Sequence, residues 1–129
     1  MRADGIDRAI TEHKIDALIA PTGPGAWLID AVNGDFAPGM TSTPAAVAGY
    51  PHITVPAGFT TAVWDRVADG NGGTRLSGPV PASLPVGVDF IARPFGEPLL
   101  FRIASAYEAA TRQRRPPPDF GPVEGRGTK

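Results

Sequence analysis

Cysteine is absent from the 129 residues, which excludes a disulfide scaffold, a thiol nucleophile and any thiolate metal site. That absence fits a reducing compartment. Lysine occurs only as Lys14 and Lys129, and histidine only as His13 and His52. Two histidines among scattered Asp and Glu supply no metal-ligand spacing, and the glycines at 70, 72 and 73 lack the Gly-Lys-Ser/Thr ending of a phosphate loop, so no cofactor is expected. Neither sign of charge dominates, with 12 basic and 13 acidic side chains. Without a basic field to gather phosphates, nucleic acid is not an expected partner. No 18 apolar residues run together and the first residues, MRADGIDRAITEHK, lack an apolar signal core. The reading is a cytoplasmic, non-membrane protein.

Glycine and proline, by contrast, are abundant at 16 and 15 residues, and they divide the chain. Asp4 is a candidate N-cap, with Asp7 three positions on, for a short helix whose apolar face carries Ile6, Ala9, Ile10 and His13. A turn near Lys14 leads to a strand at Ala17–Ala20, a continuous apolar run that reads as covered on both sides. Residues 21–43 read as loop. Thr43 before Pro44 opens a very short helix over Ala45–Ala48 that Gly49 can close. A second strand, His52–Val55, is bounded by Pro51 and Pro56. The third, Pro85–Ile91, puts Val86, Val88 and Phe90 on one face and Gly87, Asp89 and Ile91 on the other. Gly87 permits a close neighbour. Asp89 interrupts an apolar strand, so either its face is solvated or a donor such as Arg93 reaches it.

The clearest periodicity lies at 97–114. Leu99, Leu100, Ile103, Ala106, Tyr107 and Ala110 form an apolar stripe, Pro98 suits the first turn, and Glu108 is spaced to pair with Arg112. Leu100, Ile103 and Tyr107 are expected to dock this helix on the sheet. Read as parallel, the three strands need both faces covered, and the helices promise about one layer. An exposed face or edge is the expectation, and with it self-association or docking to a complementary piece. Between the second and third strands, Ala62-Val63-Trp64 and the turn-forming Asp69-Gly70-Asn71-Gly72-Gly73 predict a small projecting ribbon. Trp64 there either touches a substrate or partner or pins the ribbon to the body. The tail, from about residue 121, reads as disordered.

Three stretches, TPAAVAGYPHITVPAG at 43–58, LPVGVDFIARPFGEPLLFRIASAYEAATRQRRPPPDF at 84–120 and DALIAPTGPG at 16–25, together resemble the C-terminal end of amidase signature family hydrolases. The resemblance covers most of residues 4–120. It implies a partial α/β fold, with about three core strands of a mixed sheet and an amphipathic helix at each end of the segment. Residues 1–120 would be one C-terminal segment with an insertion at about 60–84. The family hydrolyses carboxamide C–N bonds, other than peptide bonds, with a serine nucleophile, a bridging serine in a cis peptide arrangement and a lysine. A glycine- and serine-rich region carries these in the family, and this sequence has no such pattern.

The serines present are Ser42, Ser77, Ser83 and Ser105. Only Ser42, with Lys14 as a conceivable base, lies in a segment resembling a pocket wall, so no residue is assigned a catalytic role. The resemblance gives a substrate-region wall of Trp27, Asn33, Asp35, Ser42 and His52. Trp27 is alternatively a satellite core residue, Asp35 a turn aspartate and His52 a histidine satisfied by a backbone carbonyl. Three functions follow. The chain is a C-terminal amidase part, inactive alone, which meets a carboxamide substrate only with the missing N-terminal amidase portion; or a non-catalytic binding or structural protein on the same fold; or a small serine hydrolase using Ser42.

Overall fold

The computed structural model describes residues 2–29, 34 and 42–116. Asn33, Asp35 and the tail from 121 lie outside the described residues. A π-helical stretch, Arg2–Asp7, runs into helix α1 (Arg8–His13), and Lys14, in the left-handed conformation at φ 52°, turns the chain toward strand β1 (Leu18–Pro21). Helix α2 (Ser42–Ala48) precedes β2 (His52–Phe59). Then come β3 (Ala62–Ala68), β4 (Thr74–Pro81), β5 (Pro85–Ile91) and helix α3 (Glu97–Thr111).

The expected three-strand sheet flanked by helices is present, in the order β1-β5-β2. Both pairings are antiparallel: Leu18 lies opposite Ile91 on one side and His52 opposite Ile91 on the other. The parallel relation is between β1 and β2, which run the same way on either side of β5. Burial alternates along β1, so its apolar run is not covered on both faces. Leu18 is half-buried while Ile19 is 64% exposed.

Pro56 does not end β2, which continues to Phe59 with a bulge between Pro56 and Gly58. On an edge strand one side of the backbone has no partner strand, so a proline is tolerated there. Residues 62–81 form the predicted ribbon of β3 and β4. Its tip is tied by Asp69, whose Oδ1 accepts the Asn71 and Gly73 N–H at 2.8 and 3.0 Å, with Gly70 and Gly72 at positive φ. Its base is fixed by Thr60, whose hydroxyl donates to the Ala82 carbonyl (2.6 Å) and accepts the Leu84 N–H (3.0 Å).

Alternation along β5 divides the core into two layers. Val88 and Phe90 pack with Val55, Leu100 and Ala104 beneath α3. Ile91 packs with Ile6, Ile10, Ala45, Ala48 and Tyr50 beneath α1 and α2. This corrects the expectation of a single helical layer. A short N-terminal helix with only a few apolar residues covers the second face because α2 and Tyr50 fill in beside it.

Polar ties hold that second layer. The Tyr50 hydroxyl donates to Asp7 Oδ2 at 2.6 Å, while Arg93, just past β5, donates to Thr11 Oγ1 (2.6 Å) and to Asp7 Oδ1 and its carbonyl (3.3 Å each). Asp7 is therefore a junction. Asp4 is not the N-cap, because the π-helical stretch already includes it. Thr43 likewise lies within α2, which starts at Ser42, although Gly49, at φ 69°, closes that helix as expected.

Helix α3 stops at Thr111, where Arg112 takes a left-handed φ of 51° and its N–H bonds the Glu108 carbonyl at 2.9 Å. No Glu108–Arg112 ion pair forms among the described residues. Leu100, at 3% exposure, is the fully enclosed anchor, whereas Ile103 and Tyr107 are half-buried at its flank. Tyr107 meets the Phe90 ring edge-on, centroids 5.6 Å apart. Leu100→Ala should therefore lower stability by about 2–5 kcal/mol through lost burial and an unrelaxed cavity. Phe101→Ala, on the exposed face, should stay within about 0.5 kcal/mol. Denaturant unfolding of both variants checks this, and equal midpoints would contradict the packing of α3.

Candidate functional site

Two places combine chemistry-bearing side chains, and the centre of the sheet provides the first. Asp89 is fully buried. The register sets it between Ala20 of β1 and Thr54 of β2, and the chain just beyond β1 brings Thr22 alongside. Both threonine hydroxyls donate to Asp89 Oδ1, Thr22 at 2.9 Å and Thr54 through a short contact. The other oxygen, Oδ2, has no hydrogen bond among the described residues. Its neighbour is His52 Nδ1 at 3.6 Å, beyond good hydrogen-bond length. Neither alternative that the sequence leaves open for Asp89 holds: its face is not solvated, and Arg93 is engaged with Asp7 and Thr11.

Gly87 makes this arrangement possible. A Cβ there would sit 2.7 Å from Thr22 Oγ1 and 2.9 Å from Thr54 Cγ2, closer than side-chain atoms approach. The two threonines close over the bare backbone of Gly87 and so reach one carboxylate from opposite strands. His52 sits beside that carboxylate rather than against a backbone carbonyl. Its side chain is 31% exposed.

This constellation is not a nucleophilic triad. Nucleophilic catalysis needs a hydroxyl bonded to a base that a third group orients, and here both hydroxyls bond the carboxylate directly. The arrangement fastens both outer strands to β5.

The second place is a cleft of about 390 Å³ between the loop at 24–28 and the ribbon, lined by Trp27 and Leu28 on one side and Val63, Trp64 and Leu76 on the other. Trp64 is 63% exposed, so it does not pin the ribbon onto the body. Of the wall residues that the resemblance implies, Trp27 lines this cleft while Ser42 and His52 do not. Ser42 is the first residue of α2, half-buried. Among the described residues no group of three or more His, Cys, Asp or Glu side chains could hold a metal ion, and no helix is long and apolar enough to cross a membrane.

Removing a donor from Asp89 gives the test of the first place. Thr54→Val keeps the shape but leaves a buried carboxylate short of a hydroxyl, and should cost about 1–3 kcal/mol. Asp89→Asn retains an acceptor for the threonines and should cost less. Urea unfolding of the two variants decides, and a silent Thr54→Val would contradict this reading of the sheet centre.

No family model matches the chain. Its sequence is 29% identical over 118 residues to a glutamyl-tRNA(Gln) amidotransferase subunit of Synechococcus sp. strain WH7803, covering 88% of this chain and 20% of that protein. A probable amidase of Arabidopsis thaliana is 32% identical over 114 residues, covering 88% of this chain and 15% of that one. The crystal structure of PAM12A superposes with a TM-score of 0.64 at 43% identity, covering 88% of this chain and 19% of that chain. The chain thus spans about a fifth or less of the length of the relatives it matches. Over this partial region, in sequence and in fold, it is homologous to amidase-signature proteins.

Proposed function

We propose that the chain is the C-terminal part of an amidase: residues 1–120 form one segment of the fold, with the ribbon as an insertion and the last residues a tail. The observation that carries this reading is the match to a fifth of a solved chain at 43% identity, in a sequence without the glycine- and serine-rich nucleophile pattern. In a complete enzyme the nucleophile, the bridging serine and the lysine would come from the remaining portion. This chain would supply sheet, α3 and part of the substrate wall, with Trp27, Ser42 and His52 among its residues and Asn33 and Asp35 in the same stretch of sequence. Its partner is the rest of an amidase fold, and the substrate of the assembled enzyme is a carboxamide cleaved at its C–N bond. The cysteine-free composition suits the cytoplasm.

The relatives named as subunits of an amidotransferase support the need for a partner. So do the apolar side chains that stand out on the surface, Ile19 on β1, an edge strand among the described residues, and Val47 on α2. Large exposed apolar groups near a free strand edge invite another polypeptide.

The purified chain should not hydrolyse an aryl or aliphatic carboxamide. Nucleophile, base and oxyanion donors would all be missing, and each contributes on the order of 10²-fold or more. Adding a separately expressed amidase portion that carries the serine and lysine region should produce turnover. Hydrolysis by the chain alone that vanishes in Ser42→Ala would contradict the proposal and favour a small serine hydrolase.

A further inference from the structure

We propose that the cleft between the ribbon and the loop at 24–28 is a binding site for an uncharged aromatic ring, the ring of an aryl carboxamide. Its being part of a carboxamide rests on the amidase reading above. The ring preference rests on the cleft itself.

Two tryptophans from separate elements line one cavity of about 390 Å³, a size suited to a small molecule. Both are substantially exposed, Trp27 at 41% and Trp64 at 63%, although the driving force on an indole is to bury. Val63 and Leu76 complete an apolar wall. The ribbon is built to present that wall. Gly78, at φ 142°, lets β4 close on the bulge of β3: a Cβ there would lie 3.1 Å from the Val63 carbonyl and 3.5 Å from Trp64 Cα. Trp64 is therefore held by backbone packing, while its ring remains accessible.

The polar groups of the lining are already engaged, which selects the chemistry of the ligand. Thr60 both donates and accepts within the protein, to Ala82 and from Leu84. Asp65 Oδ1 accepts the Arg66 N–H at 2.8 Å, and the Arg66 guanidinium donates to Thr74 Oγ1 at 2.7 Å. One carboxylate and one guanidinium leave the cleft without net charge. With no net field in the lining a charged ligand gains little there, whereas a neutral ring would gain apolar contact with the indoles and the burial of its own surface.

The test is titration of the chain with acetanilide, followed by tryptophan fluorescence and by the indole N–H signals in a ¹H–¹⁵N spectrum. Saturable binding that shifts both indole signals is expected. Trp64→Ala should weaken it about fivefold or more, Trp64→Phe less, since a ring remains. Isobutyramide, which has no ring, and benzoate, which is charged, should bind more weakly than acetanilide.

Because Trp64 is exposed, its truncation should leave the β5 amide signals in place, which separates loss of the site from loss of the fold. The half-buried Val63→Ala offers a second variant that narrows the wall without removing an indole, with a smaller loss expected. Four results would overturn the proposal: no saturation, binding unchanged in Trp64→Ala, equal binding of isobutyramide, or indole shifts that follow protein concentration and report a second copy in the cleft. None of these touches the complementation result, so this inference can fail while the amidase reading stands, and the reverse.

Discussion

A carboxylate with no access to water, placed in the middle of the central strand, is the constraint on which the rest of the structure depends. Leaving Asp89 there without donors would cost several kcal/mol, so the strands on both sides must deliver hydroxyls to it. Thr22 and Thr54 do so. Their meeting at one oxygen fixes the lateral position of β1 and β2 against β5, and the missing side chain at Gly87 provides the space. A one-residue slip of either outer strand would carry its threonine to the opposite face. Asp89 thereby acts as a register pin, with His52 as its remaining neighbour.

From that pinned centre the two core layers follow. Val88 and Phe90, on either side of Asp89, point to one face and receive α3, while Ile91, on the face of Asp89 itself, receives α1, α2 and Tyr50. The chain leaving β5 then returns one further tie, since Arg93 reaches back to Asp7 and Thr11 across more than eighty residues. The ribbon stands outside this arrangement. Thr60 anchors its base, and among the described residues its own two strands pair only with each other. That independence lets the ribbon carry an exposed tryptophan without disturbing the sheet.

Much of this was legible in the sequence because local chemistry dictated it. The bounds of β5, the turn near Lys14, the ribbon with its Asp69 tip and the stripe of α3 all followed from periodicity and turn residues. Strand direction was not legible, since an apolar run such as Ala17–Ala20 carries no sign of what lies beside it. Nor was the fate of Arg93, whose partners depend on how the first helix packs. The need at Asp89 was legible, since an aspartate in an apolar strand requires solvent or a donor, but the sequence pointed to a solvated face or to Arg93 rather than to the threonines. Choosing Thr22 and Thr54 required the register. The sequence left Trp64 between a surface contact and a pin for the ribbon, and its sharing a cleft with Trp27 depends on where the ribbon projects.

The homology joins this architecture to a larger fold, of which about a fifth is represented here. Its contribution to function therefore rests on whether the β1-β5-β2 sheet is a stable seat. Backbone hydrogen exchange measures that most directly. If Asp89 and its donors hold the centre, the amides of Val88–Ile91 exchange slowest in the chain, through opening of the whole sheet, while those of the ribbon at 62–81 exchange faster by local opening. Protection in β5 no greater than in the ribbon would contradict the account, since it would mean that the carboxylate and its threonines do not hold the strands together.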